Sequence, residues 1–261
     1  MLRLNSLAAV VLIGLLSGAA LGQTPSTQPT ARRGPQAQPS ATQPVLQART
    51  QNRHDQFLAL AKKGDIDLLF LGDSITDNMR TNNPLHGGID VWNKYFAPLK
   101  AANFGIGADR TQNVLWRIQN GELDGFKAKC IVLLLGTNNV SAGRAIRNTN
   151  AEVLDGMKLV IGEIRARQPQ AKLILMAIFP RDRTADGPYR QPIKEINAQL
   201  AKYDDGKNIF FIDIGDKFLA ADGSIPMDVF PDQPALHPNA KGYEIWANGI
   251  IGKVKEVMGV Q

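Results

Sequence analysis

Five short apolar runs, at residues 66–71, 101–104, 130–135, 172–178 and 209–214, alternate with stretches that carry their apolar residues at helical spacing. That alternation constrains the fold more than any other feature of the chain. Strands separated by helices must run parallel, and right-handed crossovers place the helices on both faces of the sheet. Between the third and fourth runs, Val153, Met157, Val160, Ile161 and Ile164 share one helical face, and Thr149 with Glu152 fits a capping box at its start. Tyr243, Trp246, Ile250, Val254 and Val257 form a similar stripe near the C-terminus. The pattern predicts an α/β protein: a three-layer α/β/α sandwich around a five-stranded parallel sheet.

In such a sheet ligands bind beyond the carboxyl ends of the strands. Three strand ends are small, polar or glycine-rich: Gly72-Asp73-Ser74, Gly105-Ile106-Gly107-Ala108-Asp109 and Gly136-Thr137-Asn138-Asn139. Each alone is also an ordinary strand-to-helix turn. Gly105-Ile106-Gly107 is not a dinucleotide fingerprint, because Arg110 stands where the third glycine belongs. Ser74, directly behind a buried strand, presents a hydroxyl at the sheet edge. About 160 residues later, Ala235-Leu236-His237-Pro238-Asn239 offers an imidazole that can act as its base.

The rest of the chain sets the boundaries. Arg3, the apolar stretch from Leu7 to Leu16, and small residues at Ala20 and Gly22 read as an export signal over residues 1–22. The expectation is a periplasmic or extracellular protein with no stable membrane insertion after cleavage; an uncleaved anchor is the alternative. Residues 23–50, rich in Gln, Thr, Pro, Ser and Ala, read as a disordered linker, and 51–261 as the folded domain. The formal charge of +6 is mild and partly concentrated before the first strand. No basic block interleaved with aromatics occurs, which argues against nucleic-acid binding. A single cysteine, Cys130, lies in the third apolar run and precludes an internal disulfide.

Together these blocks resemble the SGNH (GDSL) hydrolase family, above all the branch of the platelet-activating-factor acetylhydrolase catalytic subunits. The resemblance spans about residues 55–258. It rests on Gly72-Asp73-Ser74, on Asn103-Phe104-Gly105-Ile106-Gly107 continuing through Thr111–Ile118 and Asn120–Leu123, on Gly136-Thr137-Asn138-Asn139, on Phe179-Pro180-Arg181 with Arg190 and Asn197, and on Leu236-His237 with Gly242-Tyr243. It implies the flavodoxin-like SGNH hydrolase fold and a serine esterase. Ser74 would be the nucleophile and His237 the base. The oxyanion would be held by the backbone N–H groups of Ser74 and Ala108 and the side-chain amide of Asn138. The scheme requires no cofactor and no metal, and no His/Asp/Glu cluster at metal-ligand spacing is evident.

Two positions depart from the family pattern. Ala108 stands where the family has glycine; a backbone N–H can still come from alanine, but a positive φ there would be strained and the methyl would narrow the site. Pro234 stands where the family places its aspartate, three residues before the histidine. The candidates for the acid are then Asp232, reaching the ring through a bulge, Asp228, or no acid at all, with a backbone carbonyl orienting the imidazole.

Other polar residues carry plainer expectations: His54 on a surface helix, His86 in a loop that is either plain or part of the substrate mouth, and Asp73 as a helix cap. Trp92 and Trp116 are read as packing residues, and Arg181 and Arg190 as ion-pair partners of Asp182 and Asp186, with the binding of an acidic substrate group as the alternative. The functional expectation is an exported esterase removing short acyl groups, acetyl first, from a small-molecule or glycan ester. A lipid esterase is the alternative, as is a non-catalytic carbohydrate-binding domain on the same fold. Relatives of this type can form homodimers.

Overall fold

The computed structural model describes residues 40–143 and 147–260. The export signal and most of the expected linker therefore lie outside the described residues. Five parallel strands, β1 (Leu68–Gly72), β2 (Ala101–Gly105), β3 (Cys130–Leu134), β4 (Lys172–Met176) and β5 (Ile209–Ile212), form one sheet in the order β2-β1-β3-β4-β5. Each strand lies within or next to a run read from the sequence.

Side chains alternate across the sheet, as a two-residue period requires. Leu69, Leu71, Ile131, Leu133, Leu173 and Leu175 face one apolar layer. Leu68, Phe70, Cys130, Val132, Ile174 and Met176 face the other. The first layer is covered by α1 (Gln51–Lys63), α4 (Thr111–Arg117), α5 (Asn150–Arg167) and α6 (Arg190–Leu200). The second is covered by α3 (Ile89–Tyr95) and α7 (Ala240–Met258). α5 buries the five residues of its sequence stripe, and its capping box forms: Thr149 Oγ1 accepts from Glu152 N, and Thr149 N donates to Glu152 Oε2. In α7 the last turn buries Met258, leaving Val257 half-buried.

The register explains where a site can form. Gly72 at the end of β1 is level with Gly105 of β2 and Leu134 of β3. The chain leaves β1 between neighbours β2 and β3, so the sheet order reverses there and a crevice opens at the carboxyl edge. Glycine is required at both strand ends. A side chain at Gly72 would strike the Leu134 carbonyl and Thr76, and one at Gly105 would strike the backbone of Asp77.

Residues 40–50 differ from the linker expectation. Ala41 is buried, Val45 N donates to Gln112 O, and Thr111 Oγ1 donates to Ala41 O. The segment has few large apolar residues, but its polar backbone and side chains find partners on α4 and the loop before it. Composition does not reveal such an anchor.

Candidate active site

Ser74 opens the short helix α2 (Ser74–Asn78), directly behind β1. Asp73 caps that helix as expected, its Oδ1 accepting from Ile75 N at 3.0 Å. Burial pushes the Asp73 carboxyl up to about 7, against the opposing pull of the Ile75 N–H and the nearby His237. Asn103 fastens the helix to β2: its Nδ2 donates to Thr76 O and its Oδ1 accepts from Gly105 N.

His237 arrives from the loop before α7. Its Nε2 lies 2.9 Å from Ser74 Oγ, and its Nδ1 lies 2.8 Å from Asp232 Oδ2. The five-residue spacing is bridged by a tight loop. Asp232 Oδ1 accepts from the backbone N–H groups of Leu236 (2.9 Å) and His237 (3.1 Å), so the carboxylate closes the loop that carries the ring. Burial alone would raise the Asp232 carboxyl, but its bonds with the His237 ring and those two N–H groups outweigh it and hold the acid below its ordinary value. Arg183 secures the same loop by donating to the carbonyls of Ile225, Phe230 and Asp232. Asp228, the other candidate acid, is exposed and pairs with Lys241.

The loop after β2 carries Ala108 at φ 63°, the left-handed conformation that glycine would occupy without strain. Asn138, after β3, donates through Nδ2 to Asp109 O at 2.9 Å; an amide nitrogen has a second hydrogen to offer. Asn139 ties the two loops together, accepting from Thr111 N and donating to Thr111 Oγ1, Gln112 Oε1 and Asn148 Oδ1. Ala108 and Asn138 line a cleft of about 510 Å³ with Gln47, Arg110, Asn113 and Arg147 among its other walls.

Several contributors to this site were not evident in the sequence. Beneath the oxyanion-side loop, Arg117 is fully buried between Asp109 (2.9 Å) and Glu122 and also donates to Phe104 O. Burial raises Asp109 to about 6; Arg117 opposes the shift and Glu122 adds to it. His54, expected on a surface, is buried with Nδ1 3.2 Å from Glu122 and its ring edge-on to Trp116. From above, the segment expected as linker reaches the same loop: Arg49 donates to Gly107 O at 2.8 Å, and Gln47 Nε2 is within 3.3 Å of Ala108 O and 3.1 Å of Asp109 Oδ1. His86 stands against His237, their ring centroids 5.3 Å apart. Arg181 and Arg190 make no ion pair with Asp182 or Asp186 among the described residues. Arg181 lies over the Tyr189 ring and reaches Thr137 O, whereas Arg190 donates to the carbonyls of Asp182 and Gly223. Cys130 is buried and its thiol is pushed up to about 12, which fits a packing role.

A hydroxyl, an imidazole and a carboxylate in series can move a proton off the hydroxyl as it attacks an electrophile. Comparisons with known proteins agree with that chemistry. A model of the GDSL-like lipase/acylhydrolase family matches residues 70–245. The platelet-activating factor acetylhydrolase IB subunit alpha2 of Rattus norvegicus is 38% identical over 198 residues, 75% of this chain and 79% of that protein. Among solved structures, a GDSL-like lipase from Bacteroides thetaiotaomicron superposes with a TM-score of 0.59 at 19% identity, covering 78% of this chain and 97% of that one. The acetyl xylan esterase AlAXEase gives a TM-score of 0.59 at 19% identity, covering 72% and 100%. The chain thus belongs to the GDSL-like lipase/acylhydrolase family and is an ester hydrolase.

Proposed function

We propose that the protein is an exported serine esterase that removes short acyl groups, acetyl first, from hydroxyl-rich substrates such as acetylated glycans. The observation that carries this reading is the continuous series Ser74 Oγ, His237 Nε2, His237 Nδ1, Asp232 Oδ2, with gaps of 2.9 and 2.8 Å. Ser74 Oγ attacks the ester carbonyl and forms a C–O bond while His237 Nε2 takes its proton. The tetrahedral oxyanion is held by the N–H groups of Ser74 and Ala108 and the second N–H of Asn138, each donor contributing about 100- to 1,000-fold in rate. Collapse expels the alcohol, which takes the proton back from His237. Water, deprotonated by the same imidazole, then releases the acid and restores Ser74.

The acetyl preference draws support from the acetylhydrolase relative and from the Ala108 methyl, which takes up space beside the proposed oxyanion. The cleft beside Ala108 and Asn138 sets Gln47, Arg110, Asn113 and Arg147 beside Val45 and Leu46, so it offers hydrogen-bonding groups to a hydroxyl-bearing substrate. Export rests on the signal-like residues 1–22.

The test is a substrate panel of p-nitrophenyl acetate, longer-chain p-nitrophenyl esters and acetylated xylan, with fluorophosphonate labelling of Ser74. Acetate release and stoichiometric labelling are expected, and both should vanish in Ser74→Ala. Turnover confined to long-chain esters would overturn the acetyl assignment. A folded protein that resists labelling would be a binding domain instead.

A further inference from the structure

The loop 81–88 brings a second histidine to the proposed base. His86, Asp232 and His237 each place one donor atom so that the three atoms lie within 4.8 Å of one another. His86 Nδ1 is shielded from water and has no hydrogen-bond partner among the described residues. The three residues are 151 positions apart at the extreme, so no local spacing announces the cluster. Two imidazoles and one carboxylate are a donor set of borderline softness, suited to Zn²⁺ and its neighbours and poorly suited to Mg²⁺ or Ca²⁺, which prefer all-oxygen sites.

We propose that His86, Asp232 and His237 form an inhibitory binding site for a divalent transition-metal ion, Zn²⁺ above all. Tetrahedral Zn²⁺ with bonds of about 2.0–2.1 Å holds its donors about 3.3 Å apart. Closing from the outer limit of the observed spread requires a movement of about 1.5 Å, and His86 sits at the end of the loop that carries the exposed residues 82–85. The carboxylate binds as its anion and each ring as a neutral imidazole through its unprotonated nitrogen, so each ring keeps its one hydrogen, and water completes the coordination.

Inhibition follows from the electron count of imidazole. A neutral ring has one available lone pair, on whichever nitrogen lacks the proton. If Zn²⁺ takes that pair at Nδ1, Nε2 carries the hydrogen and cannot accept the proton of Ser74. If it takes the pair at Nε2, the position facing Ser74 is filled directly. Either way the general base is removed, while the fold and the nucleophile are untouched. The binding claim stands on the three donors alone; the inhibition claim rests on His237 acting as base.

The experiment uses metal-stripped, tag-free protein and Zn²⁺ itself as the probe. Calorimetric titration should show one Zn²⁺ per wild-type chain, with no comparable binding of Mg²⁺. Hydrolysis of p-nitrophenyl acetate should fall at least about tenfold at saturating Zn²⁺ and return with EDTA. His86→Ala and His86→Gln, each measured against its own metal-free rate, should weaken both binding and inhibition by on the order of 100-fold, since even an outer-shell partner is worth about 10- to 100-fold. Equal Zn²⁺ affinity in wild type and His86→Ala, or no stoichiometric binding, would overturn the site. Zn²⁺ binding through His86 in a protein that hydrolyses no ester would leave the site standing and refute the esterase reading.

Discussion

Asp232→Asn isolates the orienting carboxylate with little change in shape. In the wild type one carboxylate accepts three N–H groups: Leu236 N, His237 N and the ring Nδ1. Its acid is held below 3.8 in the fold, so the negative charge is present throughout the neutral range and is lost only under more acidic conditions. An asparagine has one oxygen and one NH₂. If the oxygen keeps the two backbone donors, the NH₂ faces Nδ1 and selects the tautomer with hydrogen on Nε2. That ring cannot take the Ser74 proton. If the amide flips, the ring is satisfied but two backbone N–H groups meet a donor, and the developing imidazolium still lacks its counter-charge. We expect kcat for p-nitrophenyl acetate to fall by about 1,000- to 10,000-fold, about 4–5.5 kcal/mol at about 1.4 kcal/mol per tenfold. KM should move little. Unfolding free energy in urea should change by only about 1 kcal/mol, because the loop keeps most of its hydrogen bonds. A folded variant with kcat within threefold of wild type would refute the reasoning and assign the ring's orientation to something other than Asp232.

Three further perturbations probe the support around the site. Gln47→Ala with Arg49→Ala releases the loop 105–110 from above, and kcat should drop about tenfold with KM nearly constant in steady-state assays, as a small misplacement of a donor costs rate before affinity. Ala108→Gly relieves a left-handed alanine worth about 1–2 kcal/mol while adding unfolded-state entropy, so thermal unfolding should show a net gain of at most about 1 kcal/mol. The same variant should raise the ratio of butyrate to acetate hydrolysis; an unchanged ratio would mean the methyl does not limit the acyl group. Asp73 carries a pH signature: its acid rises from 3.8 to about 7 on folding, so the native state binds the extra proton, full stability holds below pH 3.8, and it is lost as pH climbs through 7. Asp73 should therefore cost the fold on the order of 4 kcal/mol between pH 4 and 8 in urea titrations, and Asp73→Asn, which can still cap Ile75, should flatten that slope.

How much of this was legible in the sequence follows from what each feature depends on. The central strands β1 and β3 were readable because they bury both faces and so appear as uninterrupted apolar runs whatever lies around them. The α5 cap was readable because Thr149 and Glu152 satisfy each other within three residues. Ser74, Ala108 and Asn138 were placed at one sheet edge by topology alone, since each follows a strand whose end is level with its neighbour's. Polar burial was not readable, because it is decided by partners far along the chain. His54 looks like a surface residue until Glu122, 68 positions away, accepts its bond. Arg117 sits in a helix where a solvated guanidinium would be ordinary, yet two carboxylates and two backbone carbonyls surround it. Residues 40–50 have a linker's composition and still dock, through hydrogen bonds that hydropathy does not register.

The same distinction explains how the site accommodates its altered spacing. Asp232 is bound to the backbone of the residue whose ring it faces, and Arg183 fixes the carbonyls on either side of Pro231, so carboxylate and imidazole form one locally closed unit. Within that unit, the number of residues between acid and base matters less than the closure. What the unit cannot set by itself is its distance to Ser74, which rides on a different element. That distance depends on how α7 meets α2, and here a single buried contact bears on the docking: Tyr243 Oη donates to Ile75 O at 2.8 Å, one turn into α7 and one residue beyond Ser74. Asn239 caps α7 on the other side, its Oδ1 accepting from Gly242 N, which sets the direction in which the chain leaves His237. Tyr243 therefore ties the start of α7, just beyond the Asp232–His237 unit, to the helix that carries Ser74, alongside the apolar packing of Ile75 and Met79 with Tyr243 and Trp246 in one buried cluster.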